Sequence, residues 1–96
     1  MLKHVVFMKF NEGVTDAQIS SLENALTGLP AKISEIKGLQ FGRDVVHSER
    51  SYDFSLVSDF DNLEAMKRYQ VHPHHLPVIA LVRTLSASIL AVDFEY

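Results

Sequence analysis

Three imidazoles within four positions, His72, His74 and His75, follow Tyr69 in the run YQVHPHH, and a further histidine, His4, lies in the N-terminal run LKHVVFMKF. A free imidazole titrates near pH 6.5, so its neutral form accepts a proton at ordinary pH. A neighbouring phenol or second imidazole can then donate to an oxygen that gains charge. The reaction these residue types allow is removal of a proton from carbon beside a carbonyl. His75 is the base, and Tyr69 or His4 orients it or stabilises the enolate oxygen. Metal binding is the competing chemistry. Zinc and similar ions want three or four convergent ligands, often with a carboxylate. Here Pro73 interrupts the helix between His72 and His75, no HExxH run is present, and Asp61 and Glu64 lie a helix away. No metal ligand and no cofactor is expected. A third reading is architectural: an imidazole N–H at His72 can satisfy a carbonyl where one helix stops and another starts.

The other polar residues offer less. Ser48, Ser51 and Ser55 have no nucleophile-elbow context, and no phosphate-cradling glycine loop occurs. Arg43 and Arg50 read as surface cations. A formal charge of −3 without a basic run argues against a nucleic-acid partner. The absence of cysteine removes disulfides, thiolate metal sites and a cysteine nucleophile. Ninety-six residues, 47% of them apolar, predict one folded domain over 1–96. With no membrane-length apolar run and no signal-peptide pattern, the sequence predicts a soluble, cytoplasmic protein without membrane contact.

Leu2 to Phe10 is rich in β-branched and aromatic residues and predicts a strand, followed by turn chemistry at Asn11-Glu12-Gly13. Thr15 and Gln18 are spaced as a capping box. Beyond them Ile19, Leu22, Leu26 and Leu29 recur at helical steps. PAKISEIKG predicts a short further helical piece closed by Gly38. GLQFGRDVV predicts a second strand with a bulge or close approach at Gly42, and Tyr52 to Phe60 a third. Asp61 and Glu64 predict a second capping box, opening a helix that ends near His72, because the residue before proline avoids the helical conformation. Pro73 is expected in the first turn of the next helix, PHHLPVIALVRTL. SASILAVDFEY closes the chain as a strand.

Strand, helix, strand, strand, helix, strand is the ferredoxin-like split βαβ arrangement: an α+β fold with a four-stranded antiparallel sheet and helices on one face. His4, Val6, Met8 and Phe10 then share one face, while Val5, Phe7, Leu90, Val92 and Phe94 share the other. Helices cover one face only. Each large apolar side chain left in water forgoes about 1.5–3 kcal/mol. A second copy laid sheet to sheet is the expected remedy, giving a homodimer that encloses a barrel.

KHVVFMKF, GLQFGRDV, SDFDNLEAMKRYQVHPHH and LAVDFEY together resemble the dimeric α/β-barrel stress-responsive (Dabb) family over nearly the whole chain, the tyrosine followed by HPxH being the most specific mark. The resemblance implies an intertwined homodimer in which most members have no assigned reaction. One branch, a plant polyketide cyclase, closes a linear chain by aldol condensation. Carried over, its catalytic histidine falls at His75, its supporting tyrosine at Tyr69 and its first-strand histidine at His4. Its HPxH histidine falls at His72, and a further pocket histidine at Phe54.

The expected function is to bind, and by acid–base chemistry transform, a small hydrophobic carbonyl compound. The expected pocket walls are Val6, Met8 and Ile89 from the first and last strands and Phe54 and Leu56 from the third. Leu22, Leu26, Val78 and Leu81 complete them from the helices, with His72 beside them. Two alternatives stay open. One is a non-catalytic stress-related structural or assembly protein whose histidines lock the fold. The other is a cofactor-independent or heme-degrading monooxygenase of related architecture, though the chain has no tryptophan and no heme-ligand signature.

Overall fold

The alternation in LKHVVFMKF does produce a strand. In the structure, a computed structural model describing residues 1–96, β1 spans Leu2–Phe10. Gly13, at φ 85°, turns the chain back in a conformation that side chains rarely adopt. The Thr15 capping box then opens α1 (Asp16–Thr27): Gln18 N–H donates to Thr15 Oγ1 at 3.2 Å, and Thr15 N–H donates to Gln18 Oε1 at 2.8 Å. The one-turn α2 (Leu29–Lys32) follows, then β2 (Gly38–Arg43) and β3 (Phe54–Phe60). Helices α3 (Leu63–Gln70) and α4 (Leu76–Leu85) lead into β4 (Ser86–Glu95). The strands lie in the order β2-β3-β1-β4, every neighbour antiparallel. That is the ferredoxin-like α+β arrangement. No helix is long and apolar enough to cross a membrane.

The core lies between sheet and helices. Met8, Phe54 and Phe60 from the sheet meet Leu22, Leu26 and Ile33, all at most 1% exposed. Arg43 is more than a surface cation: its guanidinium ties β2 to α1, donating to Glu23 at 2.8 Å, to Ser20 at 3.2 Å and to Asp16. The opposite face of the sheet carries no helix. On it Phe7, Leu90, Val92 and Phe94 are 39–56% exposed.

Several boundaries differ from expectation, each for a local reason. β2 stops at Arg43 rather than running to Val46, because the Asp44 carboxylate accepts the N–H of His47 at 2.7 Å and curls the chain away. Gly42 stays in register opposite Ser55, with open space where a Cβ would point. The close approach is at Gly38 instead, where a Cβ would meet a carboxylate oxygen of Asp59 at 2.7 Å. The ladder irregularity falls at Lys9/Phe10, next to the point where Phe10 N–H donates to Asp53 at 2.8 Å. Asn62, not Asp61, caps α3, accepting from Ala65 N–H at 2.9 Å. Helix α4 begins at Leu76, so the first-turn proline is Pro77 and Pro73 stays in the connecting turn.

Candidate functional site

Tyr69 sits in the last turn of α3 and His75 at the N-cap of α4, six positions further along the chain. The turn is tightly bonded: His72 N–H donates to the Tyr69 carbonyl at 3.1 Å and His75 N–H to the His72 carbonyl at 2.9 Å. This reversal folds the His75 ring back onto Tyr69, stacked with ring centres 3.9 Å apart. The His75 Nδ1–H donates to the Gln70 carbonyl at 3.3 Å. A carbonyl can only accept, so Nδ1 carries the proton and the neutral ring keeps its lone pair on Nε2. Burial lowers the pKa of His75 below 6.5. Its contacts with the Gln70 and Tyr69 backbones oppose the shift, and the His4 and His72 charges add to it. His75 is thus held neutral, the state a base requires. Tyr69 is 3% exposed, and burial pushes its phenol up to about 12. It stays protonated and able to donate.

His4 reaches the same place from β1. Its ring lies edge-on to Tyr69, with centres 6.4 Å apart, and to Phe60 at 6.5 Å. Its partner is not His75, as the sequence suggested, but Asp93 of β4, whose carboxylate accepts from Nδ1. Register explains the pairing: His4 lies directly opposite Asp93 in the β1–β4 ladder. Asp93 is the functional residue that the sequence reading missed. Its signal was present, because Asp93 continues the Ala87, Ile89, Ala91 face of the last strand, where only it and the terminal Glu95 carry charge.

These side chains converge on a cavity of about 230 Å³. His4, Val6 and Met8 line it from β1, with Leu56 from β3, Leu26 from α1, and Tyr69 and His75 from the α3–α4 junction. Val78, Ile79, Val82 and Arg83 of α4 and Ile89 and Ala91 of β4 complete it. Ile89 faces the helices yet is 42% exposed, so the cavity opens along the β4 side.

Four expected wall residues lie elsewhere. Leu22 is consumed in the core at 0% exposure, Phe54 is sealed against Phe10 and Phe41, and Leu81 packs against the core away from the opening. His72 faces the turn instead. Its Nδ1 accepts the N–H of His74 at 3.1 Å, the reverse of the expected donation to a helix-end carbonyl. His74 and His47 are exposed. No three His, Asp or Glu side chains gather into a metal-holding group.

An acid–base pair of this kind can move a proton, and the apolar walls can hold the carbon skeleton that carries it. Comparison with known proteins shows the family. Olivetolic acid cyclase of Cannabis sativa is 25% identical, over 97% of this chain and 94% of its own. Stress-response A/B barrel domain-containing protein HS1 of Arabidopsis thaliana is 26% identical, over 98% and 88%. The crystal structure of a dimeric ferredoxin-like protein of unknown function from Thermobifida fusca superposes with a TM-score of 0.90 at 34% identity, covering 99% of this chain and 90% of that one. The model of the stress responsive A/B barrel domain matches residues 2–96, and the chain belongs to that family, Dabb.

Proposed function

We propose that each subunit of a homodimer binds a small hydrophobic carbonyl compound in the cavity beneath α3 and α4 and removes a proton from the carbon beside its carbonyl. The observation that carries this reading is the convergence of a neutral His75, a protonated Tyr69 and the His4–Asp93 pair on a cavity whose other walls are almost wholly apolar. His75 Nε2 accepts the carbon-bound proton. Tyr69 donates to the enolate oxygen, and Asp93 holds His4 in one orientation beside them. At about 230 Å³ the cavity is smaller than the usual ~300–1,000 Å³ of a drug-sized site, which favours a compact ligand. The cyclase relative supports carbonyl chemistry. The dimeric Thermobifida fusca relative, with the exposed Phe7, Leu90, Val92 and Phe94, supports pairing through the open sheet face.

The test is exchange of the acidic carbon-bound protons of a short alkyl 1,3-diketone in D₂O, followed by NMR. His75→Asn should slow the protein-dependent exchange by about 10²–10⁴-fold, the usual worth of a positioned base. Asp93→Asn should slow it by about ten- to a hundredfold, as loss of one charge-assisted bond predicts. Wild-type exchange no faster than in buffer, or an unchanged rate in His75→Asn, defeats the reading.

One set of contacts favours the architectural alternative. The Gln70–His75 and His72–His74 bonds both tie the α3–α4 turn. A His75→Asn protein that no longer melts cooperatively would assign the imidazole to the scaffold.

A further inference from the structure

Among the cavity walls, Arg83 is out of character. It is the one side chain there with a fixed positive charge, set in the last turn of α4 among Val78, Ile79 and Val82. Arg43 is bound to Asp16 and Glu23, and Arg68 to Glu35. Arg83 makes no ion pair and no hydrogen bond, and the lining holds no carboxylate. Asp93, behind His4, is paired with that imidazole. The other imidazole in the wall, His75, is held neutral by burial. The cavity therefore presents one unspent cation, with five N–H donors in a planar fork.

We infer that the ligand is an anion, a carboxylate on an apolar body, whose charged end is held by Arg83 at the mouth while the carbon that loses its proton lies, beside its carbonyl, at the Tyr69–His75 end. Along α4, eight residues separate His75 from Arg83, about 12 Å at the helical rise. A helical side chain leans toward its N-terminus, so the guanidinium reaches part of the way back. The carboxylate and the reacting carbon are thus separated within one ligand by less than that span. A planar carboxylate matches the guanidinium fork with two parallel bonds, which a neutral amide cannot do.

This inference rests on the carbonyl-binding cavity proposed above, and its test separates the two. Calorimetry at low salt compares 4-butylbenzoate with 4-butylbenzamide on the wild-type protein, Arg83→Gln and Arg83→Lys. The wild type should favour the benzoate by about tenfold, the worth of a modest charge-assisted bond, and the preference should shrink as salt rises. Arg83→Gln should bind the two alike at an unchanged melting temperature, and Arg83→Lys should keep part of the preference. Equal binding of acid and amide by the wild type overturns the anion assignment and leaves the cavity reading standing. So does a preference that survives in Arg83→Gln. Binding of neither compound overturns both.

Discussion

The two faces of the sheet are built from alternate residues of the same strands, yet they meet opposite conditions. On the helix face, Met8, Phe54 and Phe60 are at most 1% exposed, and the polar groups His4 and Tyr69 are drawn into one knot. On the open face, Phe7, Leu90, Val92 and Phe94 remain 39–56% exposed. Residue type does not account for the difference, because both faces are phenylalanine, valine and leucine. Helix placement does: α1, α3 and α4 all roof the same side. Charged pairs differ in the same way. On the helix face the ionisable groups shift mainly by burial. On the open face Lys3, Asp59 and Tyr96 form an exposed cluster, with the Tyr96 hydroxyl donating to Asp59 at 2.6 Å and Lys3 reaching it at 3.1 Å. One face is finished within the chain, and the other is left apolar and open.

The harshest way to break that contrast is to place charge on the open face. Phe7→Glu combined with Val92→Glu removes two apolar side chains worth about 1.5–3 kcal/mol each on burial. It also asks two carboxylates to leave water. The dimer dissociation constant should rise by at least about 10²–10⁴-fold, read by sedimentation equilibrium over a concentration series. The fold within each subunit should survive, since neither residue is in the core. A wild-type chain that sediments as a monomer at every concentration would remove the need for any partner on this face.

The matching experiment on the helix face is Phe54→Ala. Phe54 lies between Phe10 and Phe41, with ring centres 5.9 and 6.1 Å away, and lines no part of the His75 cavity. Its loss should cost about 3–5 kcal/mol of stability, visible as a lower denaturation midpoint. Ligand affinity in the folded fraction should change little. A selective loss of affinity at unchanged stability would return Phe54 to the pocket wall.

Phe54 also shows where the sequence stops being readable. Alternation correctly puts it on the helix face with Leu56 and Phe60, but alternation gives a face and not a position along the strand. Pairing places it opposite Met8, two steps beyond the Val6–Leu56 rung, where its ring packs against Phe10 and Phe41 instead of lining the cavity. Asp93 was missed for the same reason. Its contact with His4 spans 89 positions of chain and depends on register, which two separate strand patterns do not encode. Local signals fared better: the limits of β1, the Thr15 capping box and the order of elements all follow from neighbours in sequence. The α3–α4 turn was half legible. Pro73 does end the helical path near His72. Two prolines four residues apart both suit a first helical turn, however, and only tertiary packing selects Pro77.

The gentlest probe of the contrast is titration, because the two faces shift their groups by different physics. Burial lowers the pKa of His75, so the unfolded chain takes up its proton first as pH falls. Stability is then lost as pH drops below 6.5 toward the folded value, and the acid limb of turnover should lie in the same window. Asp59 is also lowered, by the Tyr96 hydroxyl first and, against the opposing effect of burial, by Lys3. Its contribution is present above the ordinary carboxylate pKa and lost as pH falls through a lower, separate range. NMR titration of the His75 ring and the Asp59 carboxyl should find both midpoints below their ordinary values. Added salt screens the exposed Lys3–Asp59 attraction and should move Asp59 back toward its ordinary value. It should barely move His75, since salt does not restore water to a buried ring. A His75 midpoint at or above 6.5 would mean that the ring is open to water, and the difference between the two faces would then be one of apolar packing alone.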